Sequence, residues 1–186
     1  MCPGDDFSGL YPDRIAAYAP TRCRLSMLRL ADPGVPWPTG VMSDLGLLRY
    51  RGYGDLPEAQ ALRTRLEAEQ AAHLAHGVHL IAVRSADGSI VVGDSHHYDP
   101  LPGPFAAAET ETLILDEFRR ATGQAPSPVL ERWTGTYASA PDRAYFIDTP
   151  EPQVRLVMVT SGTGASTAFA IAEQTLADLL SLEPAP

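Results

Sequence analysis

The sequence predicts an α+β fold, a mostly antiparallel sheet flanked by helices, and three observations carry that expectation. Strand-like runs follow one another through short turn sequences, of which Ser85-Ala86-Asp87-Gly88 is the strongest. Helical patterns stand between groups of strands and not after every single strand, so the order does not read as repeated βαβ units. The chain closes on one further strand and helix, around Gly162-Thr163-Gly164, set apart from the hairpins.

Taken in order, "CPGDDFSGLYPDRI" reads as the exit from a strand, a turn and a short helical piece, with the strand itself expected before Met1. Residues 21–31 alternate, with Cys23, Leu25, Met27 and Leu30 apolar and Arg22, Arg24, Ser26 and Arg29 polar. Apart from one slip near Leu28 this is the pattern of a half-buried strand. The Pro and Gly content of "DPGVPWPTG" marks a loop. Residues 56–76 carry helix formers throughout, with Leu62, Leu66 and Leu74 near helical spacing, Pro57 in the first turn and Gly77 as the stop. "VHLIAVR" and "SIVVGDSHHY" form the Asp-Gly hairpin. Residues 106–122 form a second helix, with acids early, Arg119 and Arg120 late, and Gly123 as the stop. "VLERWTGTYAS" and "RAYFID" read as strands around Pro141-Asp142, and a turn at Pro150-Glu151-Pro152 leads to the final strand and helix.

A chain of 186 residues with 45% hydrophobic content can bury one core or two small ones. Its formal charge of −9 disfavours nucleic acid and acidic membrane surfaces as partners. No apolar run is long enough for a transmembrane helix, and "MCPGDDFSG" lacks the basic start and apolar stretch of a signal peptide, so the cytoplasm is the expected location. Cys2 and Cys23 are the only cysteines, too few for a disulfide framework or a zinc site.

The Gly pair admits two readings. A lone G-x-G before a helix is not a dinucleotide fingerprint: the third position is Thr167, and no second strand ending in an acid follows. A helix starting near Gly164 still leaves its first N–H groups unpaired and carries partial positive charge there. Flanked by Ser166 and Thr167, such an end favours an anion or an electron-rich carbonyl oxygen. The other reading is a Gly turn that packs the last helix on the sheet.

Three stretches carry a family resemblance: "CPGDDFSGLYP", "DGSIVVGDSHHYD" and "YASAPDRAYFIDTPEPQVRLVMVTSGTGASTAFAIAEQTLADL". In this order, over nearly the whole chain, they resemble the carboxy-terminal portion of the FAD-dependent oxidoreductases of D-amino-acid oxidase, glycine oxidase and sarcosine oxidase type. The resemblance implies residues 1–20 as the exit from the FAD domain, 21–150 as the substrate domain, and 151–186 as the terminal strand and FAD-contacting helix. It implies oxidation of a C–N bond in an amine or amino-acid-like substrate, with hydride passing to flavin and the imine then hydrolysed. Gly162, Thr163, Gly164, Ala165, Ser166 and Thr167 would hold the flavin N1–C2=O edge, and His96, His79 and Tyr137 would line the substrate side.

Three departures qualify this. The Rossmann fingerprint is absent and would precede Met1, so the chain reads as truncated and FAD as poorly retained by it alone. The position that carries a flavin-linked Cys in some sarcosine-oxidase-like members is Gly135, so FAD is expected to be non-covalent. "WTGTY" places Tyr137 where glycine oxidases carry an Arg for the substrate carboxylate, against a simple α-amino acid.

The remaining candidates are individually plain. His96 and His97 should face opposite sides of an alternating strand, as cavity groups or as hydrogen-bonded strand-end histidines. Arg49 and Arg51 in "LRYRGYG" could bind an anionic group or sit solvated in a loop. Trp133 reads as core. His73, His76 and His79 have x-x spacing that Asp94 and His96 could join, but Gly77 separates the first two from His79, so they do not share one helical face and no metal site is expected. The competing function is a catalytically inactive remnant or a stand-alone small-molecule-binding α+β module. A separate FAD-domain chain would be the missing partner, and an uncovered domain interface would drive self-association.

Overall fold

The structure, a computed structural model, describes residues 1–37 and 39–181, and of Arg51 the backbone alone. It opens with helix α1 (Pro12–Ala16) and strand β1 (Thr21–Leu30). After a loop come β2 (Val41–Met42), the short helices α2 (Leu45–Arg49) and α3 (Arg51–Gly54), then α4 (Ala59–Glu69) and α5 (Ala71–Ala75). Strands β3 (Ile81–Arg84), β4 (Ile90–Gly93) and β5 (His97–Asp99) precede α6 (Ala108–Thr122). Strands β6 (Val129–Ser139), β7 (Tyr145–Glu151) and β8 (Val154–Val159) lead to α7 (Gly164–Leu180).

The fold is α+β, with antiparallel sheets flanked by helices. The larger sheet runs β2-β3-β4-β1-β5, with β6 also on β1, while β7 and β8 pair separately. The hairpin closes as expected: Arg84 pairs with Ile90, Gly88 takes φ +88°, and the Asp87 carboxylate accepts from the Ser89 N–H and hydroxyl. Helix α6 ends where Gly123 adopts a left-handed conformation and its N–H bonds the Arg119 carbonyl.

The chain divides into two compact units. The first holds Met1–Cys23, Tyr98–Pro102 and the described chain from Thr136 onward; the second holds Arg24–His97 and Gly103–Gly135. In the second unit, Leu28, Leu30, Leu66, Leu80, Val92, Ile114 and Phe118 form one core. In the first, Ile15, Ala138, Phe146, Leu156 and Met158 form another, with Tyr18 stacked on Phe146 at 3.9 Å. Met1 pairs with β8 through its own N and O, to the Arg155 carbonyl and the Val157 N–H, and the Arg14 guanidinium grips the buried Asp148 carboxylate at 2.5 and 2.6 Å.

Several expectations need correcting. The slip in β1 lies between Cys23 and Ser26, both buried, and the boundary between the two units falls in the same stretch, after Cys23. Residues 56–76 form two helices that start at Ala59, broken at the buried and non-helical Gln70. "SIVVGDSHHY" is not one strand but β4 and β5. "LRYRGYG" is helical on both sides of the extended Tyr50, and a Cβ on Gly54 would lie 2.6 Å from the Leu48 carbonyl oxygen, so its glycine reflects close packing and not a loop. Trp133 is 39% exposed, on a stretch of β6 whose residues 130–134 are exposed on both faces.

Candidate functional site

In the second unit the hairpin carries its pairing past the ends of β3 and β4, where His79 and Asp94 exchange backbone hydrogen bonds at 3.0 and 3.2 Å. This sets the His79 side chain beside those of the Asp94–His96 segment. The His79 and His96 rings meet edge to face at 4.9 Å. His79 Nδ1 lies 3.2 Å from the Leu45 carbonyl oxygen, and His96 Nδ1 lies 3.2 Å from that of Gly77. A carbonyl only accepts, so both imidazoles donate from Nδ1, which puts the acceptor lone pair of each neutral ring on Nε2. His96 Nδ1 is also 3.5 Å from an Asp94 carboxylate oxygen.

Burial sets the charge states. It pushes His79 down to about 4, against the pull of the Leu45 carbonyl, with the Arg49 guanidinium adding to the fall. It pushes His96 down to about 3, and Arg49 and His79 lower it further. It pushes the Asp94 carboxyl up to about 6, opposed by Arg49. Near neutral pH the cluster therefore holds two uncharged imidazoles, a cation and a carboxylate that titrates just below neutrality.

Gly77 holds this arrangement together. Its φ is +60°, and a Cβ there would fall 2.5 Å from the His96 carbonyl oxygen. The backbone after α5 thus runs against the His96 backbone at a distance only glycine allows.

In the first unit, Thr163 caps α7 without a side-chain bond of its own. The Ser166 and Thr167 hydroxyls both donate back to the Thr163 carbonyl at 2.9 Å, and the Ser161 and Thr163 hydroxyls bond each other at 2.7 Å. The hydroxyl donors expected to face a ligand are thus engaged within the turn. What the helix end offers is its dipole and the N–H groups of Gly164 and Ala165, which have no intrahelical acceptor. These suit a carbonyl edge such as that of a flavin ring, and Gly162 and Ala165 are exposed. Tyr137 is half-buried on β6 in the same unit.

Of the residues singled out from sequence, His79, His96 and Arg49 come together in the second unit, while Tyr137 and residues 162–167 belong to the first. Arg49 is half-buried at the end of α2 and not a solvated loop residue; the Arg51 side chain lies outside the described residues. The His97 ring lies 6.1 Å from that of His76, edge to face. Asp94 is the member of the cluster that sequence considered only as a metal ligand, and "GDSHHYD" at the end of a strand was its available signal. Among the described residues no group of three or more His, Cys, Asp or Glu side chains is arranged to hold a metal ion, and no helix is long and apolar enough to cross a membrane.

No curated protein matches the sequence. Among solved structures, the fold resembles that of glycine oxidase from Geobacillus kaustophilus, with a TM-score of 0.64 at 11% identity over 96% of this chain and 41% of that one. It also resembles L-amino acid deaminase from Proteus vulgaris, with the deletion of its specific insertion sequence: TM-score 0.54, 19% identity, 100% of this chain and 39% of the other. At such identities the likeness is one of fold, and the chain spans about two-fifths of the length of either structure. The family model described as FAD dependent oxidoreductase matches residues 39–179, which contain both the Arg49 cluster and most of α7. This match covers well over half of the sequence, and the chain belongs to the DAO family of FAD dependent oxidoreductases.

Proposed function

We propose that these residues form the substrate side and the flavin-edge contact of an FAD-dependent oxidoreductase acting on a C–N bond of an amine or amino-acid-like substrate. The observation that carries the reading is the group of half-buried Arg49, Asp94 and His79 with buried His96, within a chain of this family. FAD, when bound, supplies the acceptor for the hydride leaving the substrate carbon. The chain's own residues bind and orient. Arg49 offers a guanidinium for an anionic substrate group. His79 and His96, neutral and acceptors at Nε2, orient N–H donors and are too weakly basic to carry a proton at neutral pH. Asp94, at about 6, is the group able to take one from a substrate ammonium. Tyr137, on β6 in the first unit, is assigned to the substrate side by the family resemblance alone.

The flavin contact falls to residues 162–167, through the Gly164 and Ala165 N–H groups. Nothing in the sequence provides the Gly-rich fingerprint for the ADP half of FAD. An FAD-domain partner is supported by the outer face of α7, where Phe169 is 91% exposed and Leu176 and Leu180 follow on the same stripe.

The test is a fluorescence titration of the purified chain with FAD and with riboflavin. The expected result is weak binding of similar strength for both, because only the ring is held. Ala165→Glu keeps the helix, since an acid suits its first turn, but sets a negative charge against the flavin carbonyl edge and abolishes the signal. Absence of any flavin binding, or an unchanged titration in Ala165→Glu, would refute the assignment.

A further inference from the structure

A second polar site lies elsewhere in the second unit. Met42, Ser43 and Asp44, the α4 end with Arg65, Glu69 and Gln70, and Glu117, Arg120 and Ala121 on α6 line a cleft of about 320 Å³. Its inner wall is polar and almost inaccessible: Glu117 is 2% exposed, Gln70 6% and Ser43 7%. Glu117 Oε2 and Gln70 Oε1 accept no hydrogen bond, and Ser43 Oγ stands beside the Glu117 carboxylate without closing one of good geometry. Buried acceptors left in this state are costly, and the cost falls when a donor arrives.

We propose that this cleft binds a small molecule carrying a primary ammonium group. An ammonium brings three donors and no acceptor, matching Gln70 Oε1, Glu117 Oε2 and Ser43 Oγ. The charges agree. The lining holds three carboxylates against two guanidiniums; Arg65 is already bonded to Asp44, and Arg120 Nε stands 3.7 Å from Glu117 Oε2, beyond hydrogen-bond reach. An anion would have to break these pairs, and an apolar ligand would leave the acceptors unpaired. A metal site built on three or more His, Cys, Asp or Glu side chains is not present among the described residues. The volume is that of a small-molecule site. Burial also raises the Glu117 carboxyl above its ordinary value, against the Ser43 hydroxyl, with Asp44 adding to the rise and Arg120 opposing it; a bound cation relieves that state. The site is independent of the flavin reading, and its test uses no flavin.

The experiment follows the backbone amides of the whole chain by nuclear magnetic resonance during titration with n-butylamine, n-butanol and butyrate. Butylamine alone should give saturable shifts at Ser43, Gln70 and Glu117. Glu117→Gln should weaken it by at least about tenfold, the loss expected of one charge-assisted hydrogen bond. Glu69→Lys, at the exposed rim, should weaken it without touching the inner wall, and it decides the matter if the buried variant does not fold. Equal binding of butyrate, no saturable shift with butylamine, or undiminished affinity in a folded Glu117→Gln or Glu69→Lys variant overturns the proposal.

Discussion

Replacing Asp94 by Asn should make the second unit lose stability twice as steeply in mild acid. His79 and His96 each fall from 6.5 in the unfolded chain, to about 4 and about 3 when folded. A depressed pKa gives stability that is present above 6.5 and lost as pH falls toward the folded value, because the unfolded state takes up the protons. Asp94 does the reverse: its carboxyl rises from 3.8 to about 6, so the folded state holds the extra proton and stability falls as pH rises through that window. Between pH 6 and 4 the unfolded state therefore gains two protons at the histidines and lacks one at Asp94. One net proton corresponds to about 1.4 kcal/mol per pH unit, and the variant, with two, loses about 3. Over the window the difference accumulates to about 2 kcal/mol, since Asp94 is only half protonated at pH 6 in the folded state, and this is a large part of a typical domain's stability. Other titrating groups are common to both proteins and cancel in the comparison. Urea unfolding at half-unit pH steps measures it, followed by tryptophan fluorescence, since Trp37 and Trp133, the only tryptophans, both lie in this unit. Parallel pH dependence in the two proteins would refute the view that Asp94 is held protonated by burial.

Two further outcomes follow from the same geometry. Gly77→Ala and Gly123→Ala both place a side chain at positive φ, costing about 1–3 kcal/mol, but only Gly77 has backbone within 3 Å of the new Cβ while Gly123 has open space. Gly77→Ala should therefore be clearly the less stable by thermal unfolding, and equal losses would remove the argument that the Gly77 approach positions His96. Phe146→Ala, which removes the ring stacked on Tyr18, should cost the first unit about 3–5 kcal/mol; amide hydrogen exchange on β7 and β8 reads it, and unchanged protection there would count against a core centred on Phe146.

The elements were legible where local chemistry sets them. Asp87-Gly88 has one favoured conformation, and it closes the hairpin whatever surrounds it. Gly123 ends α6 for the same kind of reason. The break at Gln70 had no such signal, because "LEAEQAAHL" contains neither Gly nor Pro; the chain leaves the helix where the Gln70 side chain turns inward, a choice made by tertiary packing. Among the site residues, His79, His96 and Arg49 could be named from sequence, but their grouping could not. It depends on the extra residue by which the His79–Asp94 pairing departs from the Ile81–Gly93 register, and on Gly77 admitting the His96 backbone. The Asp94 signal is weak in sequence because an Asp after a strand usually sits in water, whereas here most of its side chain is covered.

In β1 the buried face changes between Cys23 and Ser26, the stretch in which the chain passes from the first unit to the second. A period-2 pattern identifies a strand but cannot tell which core each half serves, so a crossing looks like a slip. At Gly93, opposite Met27, a Cβ would meet the Met27 sulfur at 2.3 Å, and at Gly54 and Gly77 it would meet backbone. In sequence Gly77 looks like a helix stop and Gly93 like part of a strand, yet in the fold all three glycines are points of contact between segments. Where such a glycine abuts a polar segment such as Asp94–His96, the close approach also removes water. The close approach at Gly77 then accompanies the burial of His96 and the partial burial of Asp94, which move their pKa values away from the ordinary range.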